Sequence, residues 1–194
     1  MYGIENVKLA ISTKEGLEAA LVIVEHARKQ GIQWALAGGI AMHLYGYLRA
    51  TQDVDMLASS VLGIESDRKL SFGGESYPVR IGERKILVDV IVRDDFFRNI
   101  YDAALRDAQT IEDGWRIVTP EWMTVLKYLA GRGKDQMDLL WLLQQPGLVD
   151  RGKVSQLLEG ATDKTAAEIA LRGLEPFFVQ ADVMRAGDEN GESK

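Results

Sequence analysis

The amino-acid sequence contains no cysteine, and only two of its 194 residues are histidine. The lack of cysteine excludes a disulfide scaffold, zinc sites built on thiolates and cysteine nucleophiles. His26 and His43 both fall within predicted helices, and neither has a second residue at the spacing of a metal ligand. We therefore expect both to be ordinary surface or core histidines.

Long apolar stretches and an excess of basic residues are also missing. No run approaches the roughly 18 apolar residues of a membrane-spanning helix, and Met1–Glu5 lacks the basic and apolar regions of a signal peptide. A cytoplasmic location and no membrane partner are therefore expected. The formal net charge of -6 excludes an overall basic footprint for nucleic acid, although Lys and Arg around 127–134 leave a local patch open.

What the chain does have is an ordinary globular composition. With 46% hydrophobic and 27% charged residues, a sizeable core is expected. The two halves differ in character, because strand and helix patterns alternate in the first half and helical periodicity dominates the second. We predict an α/β core over residues 1–118, a helical region packed on it over 119–185, and a flexible tail over 186–194.

Local patterns predict the individual elements. Ser12–Glu15 is typical of a capping box that opens a helix. An apolar run ending at Ala37 predicts a buried strand, with a second helix from Ile40. Asp94 is expected to cap a helix whose apolar stripe includes Phe96. Further strands are predicted over 51–57, 76–81 and 85–92, a loop over 59–75, and helices over 122–129, 134–144, 153–158 and 164–178.

Three aspartates are the candidate metal ligands. Residues two apart in a strand point to the same face, so Asp53 and Asp55 project together while Val54 enters the core. Asp89 lies between two valines in a later strand and could bring a third carboxylate to the same surface. Crowded carboxylates repel unless cations lie between them, and magnesium prefers oxygen ligands. The plain alternative is a set of solvated loop or edge-strand aspartates.

Gly38 and Gly39 occupy the junction between a strand and a helix. Glycine lets the backbone approach a ligand closely, and free N–H groups at the start of a helix can receive phosphate. Alone, two glycines here usually make only a tight turn. The lysine and hydroxyl residue of a Walker A loop do not follow at the required spacing, and the segment is not a Rossmann fingerprint either.

These residues together resemble a known family signature. Gly38-Gly39-Ile40-Ala41, followed by Gly46, Arg49, Thr51 and Asp53-Val54-Asp55, is similar to the GG-x-A…G-x-x-R-x-T-x-D-x-D signature of the DNA polymerase β-type nucleotidyltransferases. The AbiEii/AbiGii-like branch, which includes toxins of toxin–antitoxin and phage-defence systems, also carries K-x4-R-x-K-D-x-x-D. Here that motif is matched by Lys127, Arg132, Lys134, Asp135 and Asp138.

The resemblance implies an α+β nucleotidyltransferase fold, with a mixed sheet flanked by helices and a helical C-terminal region. It implies magnesium, or manganese in its place, held by Asp53, Asp55 and Asp89, with Asp89 helping to activate the attacking group. It assigns a nucleoside triphosphate to a second set of residues: Gly38, Gly39, Arg49, Thr51, Lys127, Asp135 and Asp138. The acceptor stays open among transfer RNA, protein and small molecules, and an antitoxin partner is implied for a toxin.

Other interpretations stay open at this stage. Lys127 is either a solvated lysine or a cation that neutralises the triphosphate. Asp135 and Asp138 either pair locally with Arg132 or Lys134, or orient Lys127 and the acceptor. Arg49 is a phosphate clamp or an ion-pair partner. The whole chain could be an inactive nucleotide-binding or partner-binding module of the same fold, or a glycosyltransferase whose D-x-D pair holds a metal and a nucleotide-sugar.

Overall fold

A computed structural model describes residues 10–191, and within them the contacts form two compact units that divide between Ile117 and Val118. The N-terminal unit contains three α-helices and seven strands among its described residues. The helices are α1 (Thr13–Lys29), α2 (Gly38–Leu44) and α3 (Arg98–Arg106). The strands are β1 (Trp34–Ala37), β2 (Asp53–Ala58), β3 (Arg68–Lys69), β4 (Gly74–Ile81), β5 (Arg84–Ile91), β6 (Gln109–Thr110) and β7 (Arg116–Ile117).

The strands of this unit form one mixed sheet in the order β3-β4-β5-β2-β1-β7-β6. β2 runs parallel to β5 and β1 runs parallel to β7, whereas the other neighbours are antiparallel. β4 and β5 form a hairpin in which Ile81 pairs with Arg84, so only Gly82 and Glu83 make the turn. Gly82 has φ +58°, a conformation that favours glycine.

One face of the sheet carries the core of the N-terminal unit. α1 begins at the predicted capping box, since Ser12 and Glu15 exchange hydrogen bonds, and it packs against β2, β4 and β5. Apolar side chains that alternate along the strands meet it there, among them Leu36, Val54 and Val88, each fully buried. The side chains that alternate with these along each strand point to the opposite face of the sheet, where the candidate site lies.

The C-terminal unit is helical. It consists of α4 (Pro120–Ala130), α5 (Gly133–Gln144), α6 (Arg151–Ala161) and α7 (Lys164–Gly191). α4 packs against both α5 and α6, and α7 packs against the same two helices. Because α4 has neighbours on two sides, every residue from Pro120 to Lys127 is buried, although the sequence predicts only one apolar face. α7 continues through the first residues of the expected tail to Gly191, and residues 192–194 lie outside the described part.

Two further local predictions are wrong. α3 begins at Arg98 with Phe97 at the N-cap position, so Asp94 does not cap it, and Phe96 is exposed. The reason is Arg93, whose guanidinium bonds to Asp95 and lies 5.3 Å from the centre of the Phe97 ring, which holds this segment out of the helix. In the predicted loop over 59–75, residues 68–69 form the short edge strand β3.

No helix within residues 10–191 is long and apolar enough to span a membrane.

Candidate active site

Asp53 and Asp55 project from the same face of β2. Val54 between them is fully buried in the core, whereas both aspartates are partly exposed. This alternation follows from the two-residue period of a strand, which turns successive side chains to opposite faces. The predicted pairing of these two carboxylates on one surface is therefore what the structure shows.

Asp89 of β5 lies next to Asp55. The parallel register of β2 and β5 pairs Asp55 with Asp89, while Asp53 pairs with Leu87. Paired residues on neighbouring strands share a face of the sheet, so the two carboxylates are neighbours there. The structure thus brings the three predicted aspartates to one face, on the side opposite to Val54 and Val88.

The Asp89 carboxylate is held by residues that the sequence analysis did not single out. Ser76 of β4 is fully buried, and its hydroxyl donates to Oδ1 of Asp89 at 2.5 Å. A guanidinium nitrogen of Arg68, on β3, lies 4.0 Å from the same oxygen. Counting outward from a turn over residues 82–84, between the predicted strands 76–81 and 85–92, would have placed Tyr77 opposite Asp89. The observed turn is one residue shorter, because Ile81 pairs with Arg84, and this sets Ser76 opposite Asp89 instead.

Close contacts with two predicted site residues leave no room for a side chain at Gly38 or Gly39. A Cβ atom at Gly38 would lie 1.8 Å from Oδ2 of Asp55, and one at Gly39 would lie 2.4 Å from Oγ1 of Thr51. Gly38 also has φ +57°, which side chains with a Cβ rarely adopt. The backbone of this turn therefore lies directly against the Asp55 carboxylate, a proximity that only glycine permits.

The segment before β2 is anchored by side-chain hydrogen bonds. Thr51 is buried, and its hydroxyl donates to the backbone carbonyl of Asp53 at 3.3 Å. Nε2 of His43 lies 2.7 Å from the Arg49 carbonyl, while its Nδ1 lies 3.0 Å from the Thr13 hydroxyl. His43 therefore has a structural part, fastening the segment that carries Arg49 and Thr51. The Arg49 guanidinium donates to the Ala50 carbonyl at 3.0 Å.

The donor chemistry of this face suits a hard divalent cation, since all three candidate ligands are carboxylates. Among the side chains that the structure describes, however, no three acidic or histidine groups converge closely enough to hold an ion by themselves. Magnesium is usually bound by one or two carboxylates together with phosphates of a substrate. The residues present therefore fit a site that a bound triphosphate would complete.

The other predicted residues form a buried charge cluster within the C-terminal unit. The ammonium of Lys127 lies 3.1 Å from Oδ1 of Asp135 and 2.6 Å from Oδ2 of Asp138. All three residues are at most 6% exposed. Arg132, which is largely exposed, donates to the other oxygen of Asp135 at 2.6 Å. Asp135 thus pairs locally with Arg132 and also contacts Lys127, while a part for it in orienting the acceptor stays a prediction.

The electrostatics of the cluster favour the charged form of the Asp135 carboxylate. Burial by itself would raise the pKa of Asp135, but the hydrogen bond from Arg132 and the charge of Lys127 outweigh it and hold that pKa below its ordinary value. The interpretation of Lys127 as a solvated lysine is wrong, because its ammonium is buried between two carboxylates. Its assignment, and that of Asp135 and Asp138, to nucleotide binding stays a prediction.

Comparison with known proteins gives information on the fold. No family model and no curated protein sequence matches the chain. An antigenic nucleotidyltransferase-like protein from Paracoccidioides brasiliensis matches in structure with a TM-score of 0.51 and 19% identity, over 84% of this chain and 95% of that one. The antibiotic-resistance factor ANT(2'')-Ia matches with a TM-score of 0.39 and 14% identity, over 94% and 99%. The first likeness shows a nucleotidyltransferase-like α+β fold with a mixed sheet flanked by helices.

Proposed function

We propose that this protein is a metal-dependent nucleotidyltransferase, which moves a nucleoside monophosphate from a nucleoside triphosphate to an acceptor hydroxyl. One observation supports the proposal above the others. The register of β2 and β5 sets Asp55 beside Asp89, and the Gly38 backbone lies against the Asp55 carboxylate. Acidic ligands and a turn without side chains are thus adjacent, and together they would suit a divalent cation and a phosphate chain.

In the proposed reaction the acceptor oxygen forms a bond to the α-phosphorus as the bond from that phosphorus to the bridging oxygen breaks. Pyrophosphate leaves, and the hydroxyl proton passes from the acceptor oxygen towards Asp89, which assists the attack. Asp53, Asp55 and Asp89 would hold magnesium or manganese, which when bound neutralises charge on the triphosphate. The turn at Gly38 and Gly39 would position the phosphates with its backbone N–H groups. Such catalysis works mainly by positioning and charge neutralisation.

The position of the labelled phosphate in the triphosphate tests the reaction type. The protein is incubated with magnesium, cell extract and each of the four nucleoside triphosphates, labelled in parallel at the α- or the γ-phosphate. If a macromolecule or metabolite acquires the α-label and does not acquire the γ-label, the result supports nucleotidyl transfer. Transfer of the γ-label would instead indicate phosphoryl transfer. Binding detected by calorimetry without either transfer would favour the inactive nucleotide-binding module.

A toxin or phage-defence role, with an antitoxin partner, belongs to this proposal through the sequence resemblance alone. Inducible expression in a bacterial host tests it. Growth arrest by the wild type that Asp55→Asn relieves would support a toxin acting through this site. Unimpaired growth at equal protein levels would argue against a toxin role and leave the proposed chemistry untouched.

A further inference from the structure

Ser76 is a buried hydroxyl on the face that carries the three aspartates. It lies on β4 opposite Asp89 of β5, and it is 0% exposed. The next residue, Tyr77, turns to the core side, so Ser76 points to the candidate site. A buried polar group costs free energy unless it is hydrogen-bonded. The group to which this hydroxyl donates therefore indicates what the serine does.

That partner is the carboxylate of Asp89. The hydroxyl of Ser76 has one proton, and it donates that proton to Oδ1 at 2.5 Å. Hydrogen bonds to an ionised acceptor are about twice as strong as neutral ones, so such a bond restrains the carboxylate that receives it. Arg68, the register partner of Ser76 on β3, has a guanidinium nitrogen 4.0 Å from the same oxygen.

These residues form one row across four strands. Arg68, Ser76, Asp89 and Asp55 are successive register partners on β3, β4, β5 and β2. The row places the hydrogen-bond donor on one side of Asp89 and the second carboxylate on the other. The hydrogen bond from Ser76 therefore reaches Oδ1 of Asp89 from the side of the carboxylate that faces away from Asp55.

We propose that Ser76 is a positioning residue for Asp89, and that its hydrogen bond sets the orientation in which this carboxylate serves the metal and the attacking oxygen. The inference rests on the proposed function. Groups that hydrogen-bond to metal-binding carboxylates orient them, and their loss typically lowers metal affinity or activity by about 10–100-fold. A purely structural serine would affect the stability of the fold instead.

The test compares Ser76→Ala with Ser76→Thr, which keeps the hydroxyl, and with Asp55→Asn. Thr124→Val is the matched control, because the Thr124 hydroxyl is equally buried but donates to the backbone carbonyl of Pro120, within the C-terminal unit. Binding of Mn²⁺ is measured by electron paramagnetic resonance in the presence of the four non-hydrolysable triphosphates, and Tm is measured for every variant.

We expect Ser76→Ala to weaken Mn²⁺ binding by about tenfold or more, beyond the fall in Tm that loss of a buried hydrogen bond causes, with Ser76→Thr restoring most of the Mn²⁺ binding. Thr124→Val should change Tm and leave Mn²⁺ binding as it is. If Asp55→Asn removes Mn²⁺ binding while Ser76→Ala leaves it at the wild-type value, the positioning role is wrong. If Asp55→Asn itself has no effect on Mn²⁺ binding, the proposed function fails at its metal site. Should Ser76→Ala not fold, Ser76→Thr against the nearly isosteric Ser76→Val gives the same comparison.

Discussion

Asp55 and Asp89 are register partners on two parallel strands that lie side by side in the sheet. This pairing depends on the fold rather than on proximity in sequence, because β3 and β4 lie between the two aspartates along the chain. Asp53, on the same face, pairs with Leu87 instead. The centre of the candidate site is therefore the pair of Asp55 and Asp89, bordered by the backbone of Gly38.

Gly38→Ala is expected to disrupt the site by displacing Asp55. A Cβ atom at Gly38 would lie 1.8 Å from Oδ2 of Asp55, which must move to make room. The φ of +57° adds strain of about 1–2 kcal/mol for a residue with a Cβ. The variant should lose both stability and Mg²⁺-dependent nucleotide binding, measured by urea denaturation and calorimetry.

Gly82→Ala provides the matched control for this prediction. Gly82 has φ +58°, but no atom lies within 4 Å of a Cβ placed there. The Gly82→Ala variant should therefore lose a similar amount of stability from backbone strain and keep nucleotide binding. Equal nucleotide binding by the two alanine variants would show that Gly38 serves only the turn.

Lys127→Met is expected to destabilise the C-terminal unit strongly. The substitution leaves Asp135 and Asp138 buried without their shared cation, and breaking a buried ion pair in this way costs about 3–5 kcal/mol. Urea denaturation measures the loss. Lys134→Met, at an exposed position on α5, should stay within about 0.5 kcal/mol of the wild type. A Lys127→Met protein of wild-type stability would mean that the cluster contributes little to the fold.

The Glu15 carboxylate of the α1 capping box should contribute to stability only above acidic pH. The backbone N–H of Ser12, then its hydroxyl, then Arg84 bond to the Glu15 carboxylate and lower the pKa of Glu15 to about 2. Since the unfolded chain has a Glu pKa of about 4.3, this contribution is complete above that value and is lost as the pH falls towards 2. Glu15→Gln should lower Tm at neutral pH, and the difference from wild type should shrink between about pH 4.5 and 2.

Glu18→Gln is the control for the pH dependence. Glu18 lies one turn further along α1, is half exposed, and pairs only loosely with Lys14 at 3.8 Å. The Tm of the Glu18→Gln variant should follow that of the wild type throughout the acid range. A Tm difference for Glu15→Gln that stays constant from pH 7 to pH 2 would contradict the proposed linkage.

The sequence predicts those parts of the fold that local rules determine. The capping box at Ser12 and the alternation around Val54 both act over a few residues, and the structure has each of them. Period-two alternation likewise predicts that Asp53 and Asp55 share a face. The likeness of sheet and helices to a nucleotidyltransferase-like protein agrees with the predicted α+β fold class.

What the sequence does not predict depends on tertiary neighbours. Periodicity places Lys127 off the apolar stripe of α4, but the carboxylates of α5 bury it as an ion-pair partner. Asp94 has the chemistry of a helix cap, yet the bonding and stacking of Arg93 delay the start of α3. Arg68 becomes a neighbour of Asp89 only through the pairing of β3 with β4, and a strand of two residues is too short for a pattern to indicate.

The most direct test of nucleotidyl transfer at this site is the rate of α-label transfer by Asp55→Asn, measured beside the wild type with magnesium and the triphosphate that the wild type uses. Asp102→Asn, an exposed aspartate on α3, is the control for the chemical change. We predict that Asp55→Asn falls to the background of the assay while Asp102→Asn and the wild type transfer label at equal rates. Transfer by a folded Asp55→Asn protein at the wild-type rate would contradict the assignment of this face as the active site.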